Sequence, residues 1–204
     1  MMALSVETSP VECERSDMTV IEFKRQRNDE QIVLWRHGVF ESVDEGWPRR
    51  LPAALQHFKA LMETLCVDGE DTVRKSAIDP VKMPGVLSGV QLLQCVPVST
   101  GSNAFLRLPQ TKHRFLVRVV GTGIVTVVGA DYTGRYLDEI YSADMMVVMN
   151  QVYEKIIEQR RPHFWRNTHA AETDDEQHYE RVLYPLSNEA GEISHLIGYW
   201  TFEV

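Results

Sequence analysis

The segment Ile193–Phe202 limits the possible folds of this 204-residue chain more than any other stretch. It follows a polar loop that contains a glycine, and it is mostly apolar, as expected of a β-strand. Because side chains alternate along a strand, Ile193, Ile197 and Tyr199 are predicted on one face, and Leu196, Trp200 and Phe202 on the other. Both faces are apolar, so both must be covered by other parts of the protein or by a partner.

An amphipathic helix is predicted at residues 51–66, where apolar residues recur at spacings of four, three, four and three. They form one stripe, which consists of Leu51, Leu55, Phe58, Met62 and Leu65. The stripe has two interpretations: it covers the second face of the sheet within the chain, or it contacts a second copy in a dimer. The candidate interface residues are Leu55, Phe58 and Met62 on the helix and Leu196, Trp200 and Phe202 on the last strand.

Strand and helix signals follow one another in an order typical of an α+β protein. Strands are predicted at residues 90–96 and 115–120, followed by short helical segments and a long helix from residue 143 to about residue 160. Pro162 ends that helix, and three more strands are predicted at 163–167, 179–186 and 193–202. Residues 20–23 and 32–35 suggest an additional hairpin. The pattern predicts an antiparallel sheet with helices on one face, plus the N-terminal amphipathic helix.

Five short motifs punctuate this order. They are Asp79-Pro80, Arg118-Val119-Val120-Gly121-Thr122, Thr133 through Glu139, Arg160-Arg161-Pro162, and Tyr179 through Ser187. Together with the order of elements, they resemble a family of stand-alone bacterial PAS-like proteins. The resemblance covers residues 72–204 and implies a five-stranded antiparallel sheet whose inner face encloses a pocket with the helices. PAS domains commonly sense small molecules, light or redox state, or mediate dimerisation.

The resemblance also suggests how the chain is divided. Residues 1–18 are polar and acidic and are predicted to be a disordered tail. Residues 19–71 form an N-terminal extension that contains the helix at 51–66, and residues 72–204 form the PAS-like domain.

The predicted pocket lining follows from which strand residues share the inner face. It comprises Phe115, Val117, Tyr153, Trp165, Val182 and Tyr184, of which Tyr153 lies beside the apolar stripe of the long helix. These residues form either plain core or ligand contacts. Tyr179 and Arg181 also share one strand face, where cross-strand polar pairs are sufficient to explain them.

No cofactor is assigned by the sequence. Haem-binding PAS proteins of oxygen sensors place a ligating His on the long helix, and residues 143–161 contain no His. The flavin photosensors use a helix with a reactive Cys, and no Cys follows Cys95. His163, His169 and His178 bracket a predicted hairpin, but their spacing fits no common metal-ligand motif, so no metal is predicted.

Composition and missing motifs argue against several classes of function. A net charge of −8 disfavours a nucleic-acid partner, because binding phosphates needs a concentrated positive surface. No stretch reaches the ~18 apolar residues of a membrane span, and the acidic N-terminus shows no secretory signal. Three widely spaced cysteines make no disulfide framework, which favours a cytoplasmic location. Neither G-x-S-x-G nor H-E-x-x-H occurs, so no catalytic residue is predicted.

The sequence therefore predicts a non-enzymatic PAS-type module for signal sensing or protein interaction. No kinase, cyclase or DNA-binding segment is visible, so the module is expected to act in trans on a signalling partner, as a homodimer or as both. It binds a small ligand, a partner protein, or both. The alternative is a ligand-free dimerisation adaptor, and a small α+β enzyme is a remote third possibility.

Overall fold

In the computed structural model, the described part of the chain forms one β-sheet with helices on both faces. The structure describes residues 18–22, 35–41, 51–66, 72–98, 111–141, 143–170 and 176–202, of which 18–22, 35–41, 144, 167–170 and 176–178 are described by their backbone alone. The strands are β1 (Met18–Glu22), β2 (Trp35–Glu41), β3 (Val73–Arg74), β4 (Val90–Pro97), β5 (His113–Val120), β6 (His163–Ala170), β7 (Glu176–Ser187) and β8 (Ile193–Phe202). The α-helices are α1 (Ala53–Leu65), α2 (Thr122–Val128) and α3 (Ala143–Gln159).

Five antiparallel strands form the centre of the sheet, in the order β6-β7-β8-β4-β5. The predicted five-stranded antiparallel sheet is thus confirmed, and each predicted strand lies inside an observed one. The first two central strands along the chain, β4 and β5, pair with each other, and β4 also pairs with the last strand, β8. The chain therefore returns to the middle of its own sheet, which brings residues from both ends of the domain onto one face.

The β1–β2 hairpin lengthens the sheet beyond β6. Met18 pairs with Glu41, and β2 then pairs with β6 through residues such as Val39 and Arg166. A hairpin is present, and of the predicted second strand at 32–35 the described residue, Trp35, lies in β2. Residues 32–34 lie outside the described residues, as does the predicted tail at 1–18 except for Met18.

The two-residue strand β3 lies beside β7 where β6 does not reach. Val73 pairs in parallel with Leu186, whereas the pairing of β6 with β7 begins at Leu183. An isolated bridge between Cys66 and Val73 holds the end of α1 next to this short strand. The segment before β4 is therefore tied to the sheet by backbone hydrogen bonds.

Helix α1 covers the outer face of the sheet within the same chain. Its stripe residues Leu55, Phe58 and Met62 are fully buried and pack in one cluster with residues of β7 and β8. The Phe58 ring stacks on Tyr199, with 5.4 Å between ring centroids, and meets Tyr184 edge-on at 6.1 Å. The structure thus confirms the first interpretation of the stripe, and burying each large apolar side chain stabilises the fold by about 1.5–3 kcal/mol.

Helices α2 and α3 cover the inner face. Gly121 starts the turn into α2 at a point where a Cβ would lie 2.3 Å from the Ser88 carbonyl oxygen, so only glycine fits there. Helix α3 buries Met145, Met149 and Tyr153 against the sheet and ends where Arg160 adopts a left-handed backbone conformation, φ 57°, two residues before Pro162.

One face assignment on β8 is wrong. Ile193 was placed with Ile197 and Tyr199, but it packs against the inner cluster with Leu196. The pairing of β7 with β8 shifts register between Leu186 and Ser187, and such an irregularity reverses the alternation of side chains beyond it.

Candidate functional site

The inner core contains more polar groups than an apolar core requires. Gln91 on β4, Asn150 on α3 and Arg181 on β7 are each at least 95% buried. Three tyrosines with buried rings, Tyr132, Tyr141 and Tyr153, belong to the same cluster. Ligand sites in proteins are typically apolar cavities with a few convergent polar groups, and this face of the sheet has that composition.

Arg181 lies at the centre of these groups and is 1% exposed. Its Nη1 donates a hydrogen bond to the Tyr153 hydroxyl at 3.0 Å. The guanidinium carbon lies 4.7 Å from the ring centroid of Trp165, 5.2 Å from that of Trp200 and 5.4 Å from that of Tyr153. We call these four residues the guanidinium cage. Each ring attracts the cation through its negative π-face.

The sheet itself builds most of the cage. Trp165 on β6 and Trp200 on β8 are the residues directly opposite Arg181 in the two ladders of β7. Residues directly opposite in adjacent strands project on the same face, so the three side chains form one row across the sheet. Tyr179, two residues before Arg181 on the same face of β7, stacks on Trp200 with 4.6 Å between ring centroids. Helix α3 completes the cage, because its Tyr153 contacts Arg181.

No carboxylate compensates Arg181 among the described residues. The adjacent Glu180 projects to the opposite face, where it accepts a hydrogen bond from Arg166 Nε at 2.6 Å. Nε and Nη2 of Arg181 are buried and have no hydrogen-bond partner in the described structure. Burial lowers the pKa of the Arg181 guanidinium, but the Tyr153 and Tyr179 hydroxyls outweigh it, and the pKa lies above its ordinary value. A full charge is therefore buried with two of its nitrogens unused, which is costly unless another group binds it.

A second polar chain lies in the same core. Gln91 Nε2 donates a hydrogen bond to the Tyr132 hydroxyl at 3.1 Å, and Tyr132 also hydrogen-bonds Tyr141. Burial raises the pKa of all three inner tyrosines, Tyr132, Tyr141 and Tyr153, so these phenols are neutral at physiological pH and their O–H groups can each donate a hydrogen bond. The Gln91 Oε1 atom has no partner in the described structure and can accept such a hydrogen bond.

A narrow cleft, open to solvent at its mouth and with an internal volume of about 10 Å³, adjoins the inner core. Its lining consists of Thr111, His113, Arg114, Phe115, Asp138, Met146 and Asn150. The Asn150 Oδ1 atom is buried there without a hydrogen-bond partner. Phe115 meets Tyr153 edge-on, with 4.8 Å between ring centroids, so one pair of rings separates the cleft from Arg181.

Two side-chain pairs hold the rim of this cleft. Arg114 binds Asp138 through two nitrogens, with Nε at 3.0 Å and Nη2 at 2.9 Å, and stacks over the Tyr136 ring. His113 Nδ1 lies 2.9 Å from Glu154 on α3. Burial raises the pKa of the Glu154 carboxyl, but the hydrogen bonds from His113 outweigh it, and the pKa lies below its ordinary value. Helix α3 is thus fixed to the start of β5 by hydrogen bonds.

A sequence model of one family decides what kind of domain this is. The model, described as a PAS domain, matches residues 66–201. The chain belongs to the PAS domain family. Sensing a signal or contacting another protein is the class of function that membership in this family supports. The match begins at Cys66, directly after α1, so β1, β2 and all of α1 precede the part that the family model covers.

Two solved structures are similar to this PAS protein at low identity. The first, an RNA-binding Light-Oxygen-Voltage receptor, is 10% identical with a TM-score of 0.37; the alignment covers 92% of this chain and 38% of that one. The second, the light state of the blue-light photoreceptor Aureochrome1 LOV, is 10% identical with a TM-score of 0.36, and the alignment covers 62% and 89%. This chain thus spans well under half of the first structure's length. A search of curated proteins finds no match.

Four of the six predicted pocket residues lie in the inner core of the PAS domain, namely Phe115, Val117, Tyr153 and Trp165. Val182 and Tyr184 do not, because they face α1 on the outer side of the sheet. Cross-strand polar pairs were predicted for Arg181, but the residues opposite it are Trp165 and Trp200. A charged residue is rarely buried, so its position in the core was not predicted. The sequence signal that was missed is the aromatic residue at each position expected to oppose Arg181.

The six candidate interface residues are not brought together. Leu55, Phe58 and Met62 are buried on the outer face, whereas Leu196 and Trp200 are buried on the inner face and Phe202 is partly buried beside them. Each set packs against its own chain. The sheet therefore separates the two halves of the predicted interface.

The described residues include no helix that is long and apolar enough to cross a membrane. They contain no group of three or more His, Cys, Asp and Glu residues arranged to hold a metal ion. The side chains of His169 and His178 lie outside the described residues.

Proposed function

We propose that this PAS domain is a non-catalytic sensor that binds a small molecule at the inner core and acts in trans on a partner protein in the bacterial cytoplasm. The observation that carries the proposal is the pair of unused nitrogens on the buried Arg181. Folded proteins rarely leave buried polar atoms without partners, and those that exist frequently mark functional sites. A bound ligand supplies the missing partner.

Helix α3 is the element that transmits ligand binding to a partner protein. It contributes Tyr153 to the guanidinium cage and Asn150 to the adjoining cleft. Its Glu154 also accepts hydrogen bonds from the backbone nitrogens of Lys112 and His113, at 3.0 and 2.9 Å. A ligand that displaces Tyr153 or bonds to Asn150 therefore changes the position of α3 relative to β5, and a partner that contacts either element responds to occupancy.

Native mass spectrometry of the freshly purified full chain tests the proposal. We expect a mass above that of the bare chain, which disappears under denaturing conditions. The variant Asn150→Ala should reduce the occupied fraction, because it removes the cleft's unpartnered acceptor. The matched control Gln151→Ala changes the next residue of α3, which is exposed, and should leave occupancy as in the wild type.

If the native mass is that of the bare chain, a second experiment tests the sensor. The small-molecule fraction of a bacterial extract should raise Tm of the wild-type protein, because a ligand that binds only the folded state stabilises it. A chain that is bare, is not stabilised by the extract and is dimeric would contradict the sensor and favour the ligand-free dimerisation adaptor.

A further inference from the structure

The two unused nitrogens of Arg181 lie on one edge of its guanidinium group. Nη1 is engaged by the Tyr153 hydroxyl, which leaves Nε and Nη2 without a partner. The N–H bonds of Nε and Nη2 that point away from the side-chain stem are parallel and coplanar. This edge matches the two oxygens of a carboxylate, which it binds through two parallel hydrogen bonds.

The charge of the site selects the kind of anion. Arg181 is the one buried Lys or Arg among the residues whose burial the structure describes, and Glu180, its neighbour in sequence, is paired with Arg166 on the other face. A carboxylate carries one negative charge and neutralises the guanidinium. A phosphate monoester carries about −1.5 to −2 charges at neutral pH and would leave net negative charge in the core. The balance therefore favours a monoanion.

Water and the aromatic rings satisfy the site only in part. Ordered waters can bond to Nε and Nη2, but they bring no opposite charge. The three rings of the cage attract the cation, but they bring no negative charge to neutralise it. The rings also accept no hydrogen bond from Nε or Nη2, so these two N–H groups remain without an acceptor.

We propose that the ligand of this PAS domain is a small organic carboxylate, bound by Nε and Nη2 of Arg181. The apolar part of the ligand packs against the rings of the guanidinium cage. This inference rests on the proposed function and adds the ligand's chemical class. It assigns to Tyr153 a positioning role, since the hydroxyl of Tyr153 holds the opposite side of the guanidinium group in place.

Matched acids and amides test the charge requirement without any variant. Benzoate with benzamide, and hexanoate with hexanamide, differ mainly in the carboxylate, and phenyl phosphate supplies a dianion of similar size. Binding to the wild-type full chain is followed by calorimetry and by the fluorescence of its tryptophans. We expect the acids to bind at least about tenfold more tightly than their amides, because charge-assisted hydrogen bonds contribute about 1.5–3 kcal/mol. Phenyl phosphate should bind more weakly than benzoate.

Nitrogen NMR gives a readout at the atom itself. The Nε–H signal of Arg181 is identified as the arginine side-chain signal missing from Arg181→Lys, and benzoate should move it downfield while benzamide leaves it in place. Arg181→Lys keeps the positive charge but loses the two parallel N–H groups, and should weaken benzoate binding about tenfold. Tyr153→Phe keeps these N–H groups and should weaken benzoate binding less. Circular dichroism shows whether each variant is folded, and the wild-type comparison stands if one is not.

The outcomes separate this inference from the proposed function. If the amides bind as tightly as the acids, or a neutral molecule is found in native mass spectra, the sensor stands and the carboxylate is overturned. Tighter binding of phenyl phosphate than of benzoate overturns the carboxylate in favour of a phosphate. If no probe binds, the carboxylate is overturned. If in addition the native mass is that of the bare chain and the extract does not stabilise it, the sensor falls as well.

Discussion

Among single residues, Arg181 shows most directly how the site and the stability of this domain are linked. Its guanidinium is buried, has one hydrogen bond to Tyr153, and is surrounded by three rings. Removing the Tyr153 hydroxyl would leave a third nitrogen without a partner. An apolar residue of similar size would cost the fold less.

We predict that Tyr153→Phe lowers the free energy of unfolding by about 1–3 kcal/mol, the cost of leaving a buried donor unsatisfied. Urea unfolding followed by circular dichroism measures it. The control is Tyr199→Phe, because Tyr199 is 9% exposed and its hydroxyl has no hydrogen bond in the described structure, so the loss should stay within about 0.5 kcal/mol. Equal losses in the two variants would show that the Arg181–Tyr153 bond contributes nothing.

His195 on β8 gives a prediction about pH. Burial, with Lys75 and Arg118 nearby, lowers the pKa of His195 from 6.5 to about 4. Its unfolded form therefore binds more protons between these pH values, and stability must fall as pH decreases from about 6.5 towards 4. Urea midpoints measured across this range should decrease less in His195→Gln than in the wild type. Parallel curves would mean that His195 titrates normally, and an NMR titration of its ring would then show a pKa near 6.5.

Among the elements, α1 is the one whose role the sequence left open, and the structure settles its packing on the outer face of the sheet. Phe58 is the centre of that contact, since it touches both Tyr184 and Tyr199. We predict that Phe58→Ala lowers the free energy of unfolding by about 3–5 kcal/mol, from lost burial and the cavity left behind. His57→Ala, on the exposed side of the same helix, should change it by at most about 0.5 kcal/mol. A small effect of Phe58→Ala would show that α1 does not stabilise the domain in solution.

The periodicity of a segment made some elements predictable and left others open. The stripe of α1 and the five central strands were predictable because their apolar spacing is local and regular. The faces of β7 were not, because both are apolar and its buried charge, Arg181, contradicts the usual rule that charges face solvent. The positions of β2 and β3 depend on partners far along the chain, such as His169 and Leu186, and no local pattern reports them. Half of the site was therefore predicted, and its central residue was not.

For the whole molecule, the decisive fact is that two cores share the same strands. Successive residues of β7 and β8 alternate between the inner and outer clusters, as Leu183 and Tyr184 do. Loss of either core removes one side of β4, β6, β7 and β8, so the two cores should unfold together. The described domain is then a single cooperative unit, although α1 precedes the segment that the family model matches.

Cys95 on β4 tests that cooperativity. Burial raises the pKa of its thiol to about 12, so at pH 8 only about one thiol in ten thousand is ionised and reactive. In the double variant Cys13→Ser with Cys66→Ser, we predict that a thiol reagent modifies Cys95 only at the urea concentrations at which circular dichroism reports global unfolding. The matched variant that keeps Cys66 alone should react in the native state, because that thiol is only half-buried. Modification of Cys95 well below the unfolding transition would show that β4 opens locally. The inner core, with the site it contains, would then be a separate unit that is less stable than the face covered by α1.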